Sequence, residues 1–183
     1  MANNESTRTL NELRRECAKQ QKKGLHFILA SIIIWAAVWI VHLTDLPIET
    51  KNILTFCVAC PLMPLAWMIS KLIHVDFQGK SNPLTSLGLL FSVNQILYIL
   101  IAMWVFSAVP EKMLMVYAMI FGAHLMPYSW LYQSKSYMLM SIIVPILALV
   151  IGLLAEPYVL ASTMFGLEIA FSVGLMMENK NSK

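Results

Sequence analysis

The chain has 183 residues, of which 58% are hydrophobic and only 13% are charged. This charged fraction is about half that of an ordinary soluble domain, so the composition excludes a typical water-soluble globular protein. The net charge of +3 does not indicate nucleic-acid binding. Most of the basic excess precedes the first hydrophobic segment, where membrane orientation and attraction to anionic lipid account for it.

Six hydrophobic segments follow a basic N-terminal stretch, residues 1–24, and precede a short tail, residues 178–183. Each segment is about 20 residues long, which at 1.5 Å per residue matches the hydrocarbon thickness of a bilayer. Backbone polar groups cannot stay unpaired in lipid, and the chain shows no alternating pattern, so the segments are predicted as helices. The sequence predicts an all-α membrane protein, a six-transmembrane-helix bundle forming one domain, with spans at residues 25–43, 53–73, 84–107, 113–132, 137–154 and 158–177.

Lysine and arginine residues are divided unequally between the two ends of the predicted bundle. Only Lys51 and Lys112 flank one end, whereas eleven basic residues flank the other. Cytoplasmic segments carry the excess of such residues, so we expect a multi-pass plasma-membrane protein with both termini in the cytoplasm. The eleven residues are Arg8, Arg14, Arg15, Lys19, Lys22, Lys23, Lys71, Lys80, Lys135, Lys180 and Lys183.

An amphipathic helix is predicted before the first span. Thr9 and Glu12 have the spacing of a capping box, which begins a helix extending to about Lys23. Its apolar residues, including Cys17, share one face, and basic residues surround the rest. Such a helix binds anionic lipid or docks a partner, or it is a solvated leader that only orients the chain.

The three connections on the outer side share a proline close to an acidic residue. They are DLP at 45–47, PE at 110–111 and EP at 156–157. These residue types favour tight turns, so the sequence predicts three helical hairpins. Prolines inside the spans are predicted to kink their helices; they are Pro61, Pro64, Pro127 and Pro145.

Four polar residues from three spans are predicted to lie near the middle of the bilayer. Glu168 and His124 each lie about 11 residues into a span, which corresponds to a depth of about 16 Å. Asn94 and Gln95 reach a similar depth from the opposite surface. Together with neighbouring tyrosines, they form a candidate binding pocket of Asn94, Gln95, Tyr98, Tyr117, His124, Tyr128 and Glu168.

A charged carboxylate at this depth costs about 2.5–3.5 kcal/mol on insertion scales, so Glu168 needs a function or a partner. A Glu–His pair with amides around it is suited to proton relay or cation binding. The same groups could equally form a hydrogen-bonded contact that fixes helix packing. Both interpretations are compatible with the sequence.

The sixth span also carries small residues at every fourth position, on the face opposite Glu168. Such a stripe favours close helix contact, either inside the bundle or in a homodimer through the sixth helix. The stripe consists of Ser162, Gly166, Ala170 and Gly174.

Cys57 and Cys60 form a Cys-x-x-Cys pair near the outer end of the second span. The placement is similar to the thiol motif of membrane quinone-coupled disulfide oxidases, but the second outer cysteine pair of that family is missing. The two sulfurs of a regular helix would also lie poorly for a disulfide, which makes a redox role a minor alternative. The four histidines do not share one depth, and motifs for zinc or serine catalysis are absent, so we expect no metal, no cofactor and no catalytic residues.

Three segments of the chain are distinctive: residues 121–137 (FGAHLMPYSWLYQSKSY), 22–27 (KKGLHF) and 41–47 (VHLTDLP). They resemble a small bacterial family of polytopic membrane proteins that carries only the label of a domain of unknown function. The resemblance covers most of the chain and implies a bacterial, Gram-positive plasma-membrane origin. It implies no activity, substrate or catalytic residue.

Three functions remain open from the sequence. The preferred one is a small proton-linked transporter or carrier of a small solute, with Glu168 and His124 as the ionisable pair. The second is a non-catalytic membrane sensor or accessory subunit, whose basic helix docks a partner and whose polar centre only packs. The third is a membrane enzyme, either a thiol–quinone oxidoreductase using Cys57 and Cys60 or a lipid-modifying enzyme, although the missing motifs favour a non-enzymatic protein.

Overall fold

The computed structural model describes residues 9–75, 77 and 82–181, and these residues form helices joined by short turns. No strand occurs in this described part of the chain, which confirms the predicted all-α class. Arg8, Lys80 and Lys183, which contributed to the charge count, lie outside the described residues.

Nine α-helices make up the described part of the chain. They are α1 (Leu10–Gln20), α2 (Leu25–Leu43), α3 (Ile48–Ala59), α4 (Leu62–Leu72), α5 (Pro83–Ala108), α6 (Met113–Ala123), α7 (Met126–Leu131), α8 (Lys135–Leu154) and α9 (Pro157–Asn181). Within these described residues, six helical segments are long and apolar enough to cross a membrane. These segments are α2, α3 with α4, α5, α6 with α7, α8, and α9.

The N-terminal helix begins with the predicted capping box. The Glu12 N–H donates to Thr9 Oγ1 at 3.3 Å, and the Thr9 N–H donates to the Glu12 carboxylate at 2.7 Å. The helix ends before the predicted position because Lys22, Lys23 and Gly24 have φ angles of 45°, 54° and 68°. Three consecutive left-handed residues redirect the chain, so α1 lies against the end of the bundle instead of extending α2.

The predicted spans agree closely with the helices α2, α5 and α8. The last helix, α9, runs to Asn181, whereas the predicted span ends at residue 177. Helix α3 begins at Ile48, directly after the predicted turn and five residues before the predicted start of the second span. Pro47 directly before the helix and Glu49 in its first turn both favour this earlier start.

Two of the six segments are interrupted at a proline. One divides into α3 and α4 at Pro61, and the other divides into α6 and α7 just before Pro127. Proline cannot donate a hydrogen bond to the carbonyl four residues earlier, and its ring crowds that carbonyl. Pro145, by contrast, lies inside α8 without ending it.

The core of the bundle is built around α2, which packs most extensively against α9 and also against α4. Trp35 of α2 is 1% exposed, and its ring lies 5.8 Å from that of Phe121 on α6. Helices α6 and α8 approach closely, since a Cβ added to Gly122 would lie 2.7 Å from Val144 Cγ1. Helix α5 is peripheral and leaves most of its apolar side chains exposed, which suits contact with lipid.

Candidate functional site

The buried acid of the sixth segment, Glu168, faces α2. Its side chain is 1% exposed, and the hydroxyl of Ser31, itself 3% exposed, donates a hydrogen bond to Glu168 Oε2. Glu168 Oε1 has no hydrogen-bond partner within the described residues. The carboxyl therefore lies in a sealed contact between α2 and α9. Sequence reasoning missed Ser31, although it is the one serine of α2.

The central histidine, His124, lies at the turn between α6 and α7 and is half-buried. Its Nδ1 hydrogen-bonds to the Phe121 carbonyl in its own segment, and its ring lies 6.0 Å from that of Tyr128. Among the hydrogen bonds and ring contacts of the described chain, His124 has none with Glu168. The predicted pairing of Glu168 with His124 is therefore not seen as a hydrogen bond in the described chain.

A cluster of three tyrosines connects α5, α7 and α8 at one end of the bundle. The Tyr128 hydroxyl donates to the Gly88 carbonyl at 2.9 Å and lies 2.6 Å from the Ser92 hydroxyl. The rings of Tyr132 and Tyr137 each lie 5.8 Å from that of Tyr128. Of these tyrosines only Tyr128 belonged to the predicted pocket.

The remaining predicted pocket residues lie in other environments. Asn94 and Tyr98 are on the exposed face of α5, where Asn94 Nδ2 donates to Tyr98 Oη at 3.0 Å, and Gln95 beside them is half-buried. Tyr117 packs instead against Trp35 of α2, at a ring distance of 6.0 Å. The contacts therefore divide the seven predicted residues among separate places, and their role in binding a solute stays a prediction.

The small-residue stripe of α9 contacts protein at one end. A Cβ added to Gly174 would lie 2.8 Å from Ser136 Oγ on α8, whereas one added to Gly166 would meet nothing within 4 Å. Ala170, between them, is exposed. A homodimer through the sixth helix stays a prediction.

The two cysteines of the Cys-x-x-Cys pair, Cys57 and Cys60, are both exposed and free. Cys57 lies in the last turns of α3, and Cys60 follows that helix directly before Pro61. No group of three or more metal-ligating side chains occurs in the described part of the chain. The redox role of the cysteine pair stays a prediction.

The N-terminal helix α1 is docked on the bundle. The Arg14 Nε donates to the Trp130 carbonyl at 2.9 Å, and the guanidinium lies 4.3 Å from the centre of the Trp130 ring. Asn82 Nδ2 donates to the Leu13 carbonyl at 2.8 Å, and Cys17 is 1% exposed. These contacts show that α1 is part of the folded bundle and not a solvated leader.

The docking of α1 creates a basic cavity of about 480 Å³ that the sequence did not predict. Among the described residues, the side chains of Arg15 and Lys19 form no hydrogen bond or ion pair, whereas that of Lys23 pairs with Glu178. The cavity therefore carries an excess of positive charge, which attracts anions. Its lining consists of Arg15, Ala18, Lys19, Lys22, Lys23, Tyr132, Gln133 and Asn179.

The end of α9 holds the wall of the basic cavity in place. Glu178 Oε2 lies 2.8 Å from Lys23 Nζ, while Glu178 Oε1 accepts two hydrogen bonds of 2.8 Å from the N–H and hydroxyl of Ser136. Asn179 Nδ2 donates to the Lys22 carbonyl at 2.9 Å. One carboxylate thus connects α9 to the left-handed turn and to the first turn of α8.

Comparison with known proteins agrees with the resemblance seen in the sequence. A family model described as a family of unknown function (DUF7010) matches residues 10–178. The chain belongs to the DUF7010 family. No curated protein and no solved structure matches it.

The region matched by DUF7010 begins at the first residue of α1 and includes the cations of the basic cavity. From the sequence, these cations were expected to orient the chain and to attract anionic lipid, but not to line one cavity. The positive φ angles of Lys22 and Lys23 could not be inferred from the sequence, because lysine ordinarily avoids that conformation. Chemically, such a cavity is suited to binding a phosphate group, because guanidinium and ammonium groups donate charge-assisted hydrogen bonds to it.

Proposed function

We propose that this protein is a six-span integral membrane protein with both termini in the cytoplasm, acting as a non-catalytic sensor or accessory subunit. In this proposal the basic cavity binds the phosphate-bearing headgroup of an anionic lipid. The observation that carries the proposal is the convergence of four cations, from α1 and the turn after it, on one cavity at the end of the bundle.

The placement of charge supports the proposed orientation. Lys22 Nζ donates to the Ile73 carbonyl and Lys23 pairs with Glu178, so the end of α4 and the end of α9 meet the basic cavity. Lys51 and Lys112 lie together at the opposite end. An excess of lysine and arginine at one end favours a cytoplasmic position for that end.

The geometry of the cavity supports a lipid headgroup as the ligand. Basic pockets between helices on the cytoplasmic side are suited to anionic headgroups, and the interface is also where tyrosine side chains are favoured. The helix dipole also favours a cation such as Lys19 in the last turn of α1. The dipole accounts for the position of Lys19, but it does not require Arg15, Lys22 and Lys23 to line the same cavity.

The transporter hypothesis is the second candidate, and its support is the depth of Glu168. The carboxyl is 1% exposed and bonded to Ser31, and it does not line the surface cavities of about 410, 480 and 600 Å³ in the described part of the chain. This environment favours a packing role for the acid. Proton flux into vesicles containing the protein should therefore be the same for the wild type and Glu168→Gln, and a flux that this substitution removes would favour the transporter.

Lipid binding can be measured by native mass spectrometry of the purified full-length protein in detergent, titrated with phosphatidylglycerol or phosphatidylcholine. We expect preferential binding of phosphatidylglycerol, weakened by the double substitution Arg15→Gln and Lys19→Gln. Each cation near an anionic surface contributes about 1 kcal/mol, so the double variant should bind about 30-fold more weakly. The matched control is Lys135→Gln with Lys180→Gln, which removes two exposed charges that do not line the cavity.

Two outcomes would contradict the proposal: equal binding of both lipids by the wild type, or equal loss of binding in both double variants. Inorganic phosphate added at constant ionic strength identifies the source of the phosphate group. If millimolar phosphate displaced the lipid, a soluble phosphate compound would replace the lipid as the proposed ligand.

A further inference from the structure

A second cavity, of about 600 Å³, lies at the end of the bundle opposite the basic cavity. All three proline-containing turns of that end contribute to its wall, with Leu46 from the first turn, Glu111 from the second and Glu156 from the third. Turn formation explains the proline and acid within each connection. It does not explain why the three turns converge on one cavity, which we call the outer cavity.

Charges of both signs line the outer cavity. The ammonium of Lys112 donates to a carbonyl of α8 at 2.7 Å, and that of Lys51 donates to a carbonyl of α2 at 3.4 Å. Each ammonium has three N–H groups, so these bonds hold both lysines in position and leave donors for a ligand. The carboxylates of Glu111 and Glu156 form no hydrogen bond or ion pair within the described residues.

A buried hydrogen-bond acceptor also belongs to the wall of this cavity. His42 is 4% exposed, and its Nε2 lies 3.2 Å from Thr55 Oγ1. The Thr55 hydroxyl donates to the Lys51 carbonyl at 2.9 Å, so its oxygen accepts from the Nε2–H of His42. In the neutral ring Nδ1 is then an acceptor, and it has no partner within the described residues. A buried acceptor of this kind favours a ligand that brings a donor.

We propose that the outer cavity binds a small zwitterion with one ammonium group, one carboxylate and an apolar side chain. The ammonium is complementary to the free carboxylates of Glu111 and Glu156 and to the unpaired acceptor of His42. The carboxylate is complementary to the fixed ammonium groups of Lys51 and Lys112. A ligand with only one of these charges would leave the opposite pair of protein charges without a partner.

The remaining wall of the outer cavity determines which kind of side chain the ligand carries. Leu46, Leu153 and Leu154 line the same cavity and are 42%, 58% and 82% exposed, so they provide an apolar surface beside the charged groups. An aliphatic side chain of the ligand gains free energy by leaving water against this surface. The zwitterion class is therefore that of an aliphatic amino acid.

The test is isothermal titration of the purified full-length protein with L-leucine and two fragments of it. The fragment 4-methylpentanoate lacks the ammonium group, and 3-methylbutylamine lacks the carboxylate. We expect L-leucine to bind at least about tenfold more tightly than either fragment, because each fragment loses a charge-assisted hydrogen bond. Undetectable binding of L-leucine, or equal affinity for leucine and either fragment, would overturn the proposal.

Substitutions of the lining residues test whether L-leucine binds in the outer cavity. Glu156→Gln and Glu111→Gln each remove one carboxylate from an exposed position, so both variants should remain folded while binding L-leucine about tenfold more weakly. Asp45→Asn is the matched control, since Asp45 is an exposed acid of the first turn that does not line the cavity. Equal weakening by the control would also overturn the proposal. The basic cavity is at the other end of the bundle, so these results are independent of lipid binding there.

Discussion

The hydroxyl of Ser31 on α2 donates a hydrogen bond to the carboxyl of Glu168 on α9. Both side chains are buried. Within the described bundle, α2 packs more extensively against α9 than against any other helix. Burying a polar group without a partner costs free energy, so this bond favours one position of α9 along α2. The pair therefore specifies how the first and last long helices align.

We predict that Ser31→Ala destabilises the bundle by about 1–3 kcal/mol, because the buried carboxyl loses the one donor that the structure gives it. Glu168→Gln should be better tolerated, since its amide oxygen can still accept from Ser31. Reversible unfolding of the protein in mixed detergent micelles measures both changes. Ser172→Ala is the control, because the Ser172 hydroxyl is buried but donates to the Ile169 carbonyl of its own helix. Equal losses at Ser31 and Ser172 would contradict the packing role.

The left-handed turn after α1 should be sensitive to the residue at Gly24. A Cβ there would lie 2.8 Å from Tyr137 Oη and 3.1 Å from Tyr132 Cε2, and the φ angle of 68° disfavours a side chain. We expect Gly24→Ala to lower the free energy of unfolding by about 1–3 kcal/mol. The measurement is thermal unfolding in detergent.

Gly166→Ala is the matched control for Gly24→Ala. Gly166 lies inside α9, and a Cβ added there would meet no atom within 4 Å. Alanine favours a helix over glycine by about 0.5–1 kcal/mol, so this variant should be as stable as the wild type or more stable. A loss of stability at Gly166 would instead indicate a protein contact on the small-residue stripe.

Cys17 should react slowly with maleimide at neutral pH. Burial raises the pKa of the Cys17 thiol, which lowers the fraction of reactive thiolate at a given pH. Labelling should therefore accelerate only as the pH rises beyond the range that activates an exposed thiol. The experiment uses a variant with Cys57 and Cys60 replaced by alanine, and mass spectrometry follows the labelling.

The control for Cys17 is a cysteine at an exposed position in the first turn of the same helix. Leu10 is 54% exposed, so Leu10→Cys in a chain without other cysteines should label at the rate of a free thiol. If Cys17 labelled equally fast, α1 would not be docked on the bundle in solution.

The ion pair between Lys23 and Glu178 should stabilise the end of the bundle that contains the basic cavity. The two side chains are 9% and 22% exposed, and removing one charge leaves the other largely buried without a partner. We expect Glu178→Gln to cost about 1–3 kcal/mol of unfolding free energy. Adding Lys23→Gln should cost less than the sum of the single changes, because the pair acts as a unit. Additive losses would show that the two residues are not coupled.

The orientation of the protein can be tested by labelling single cysteines in intact cells with a membrane-impermeant maleimide. Asp45→Cys lies in the turn between α2 and α3, and Lys180→Cys lies near the end of α9. We expect Asp45→Cys to label from outside and Lys180→Cys to label only after permeabilisation. The reverse result would place both termini outside.

Local features were the most accurately predicted part of the structure. The capping box of Thr9 and Glu12 and the bounds of α2 follow from hydrogen bonds and apolar composition within a single helix. The proline positions indicated where helices are disturbed, but not which would break, since Pro61 separates two helices whereas Pro145 does not. That difference depends on how neighbouring helices support the freed carbonyls.

The candidate site was less predictable than the helices. The sequence indicates how deep a side chain lies in a bilayer, but not the direction in which it points. Glu168 and His124 have similar predicted depths, yet Glu168 bonds to Ser31 on α2 whereas His124 bonds within its own segment. The direction in which a helical side chain points depends on the rotation of the helix about its axis. That rotation is determined by packing against neighbours, which one helix does not reveal.

The sequence by itself determined the all-helical class, the six long apolar segments and the unequal division of basic residues. These features depend on composition and on hydrogen bonds inside each helix, which are local. The tertiary structure alone decided that α1 folds back onto the bundle. It also decided that four cations from α1 and the turn after it line one cavity, and that three turns contribute to the wall of another. Such features depend on contacts between residues far apart in the chain, and packing of the whole bundle selects among the contacts that composition permits.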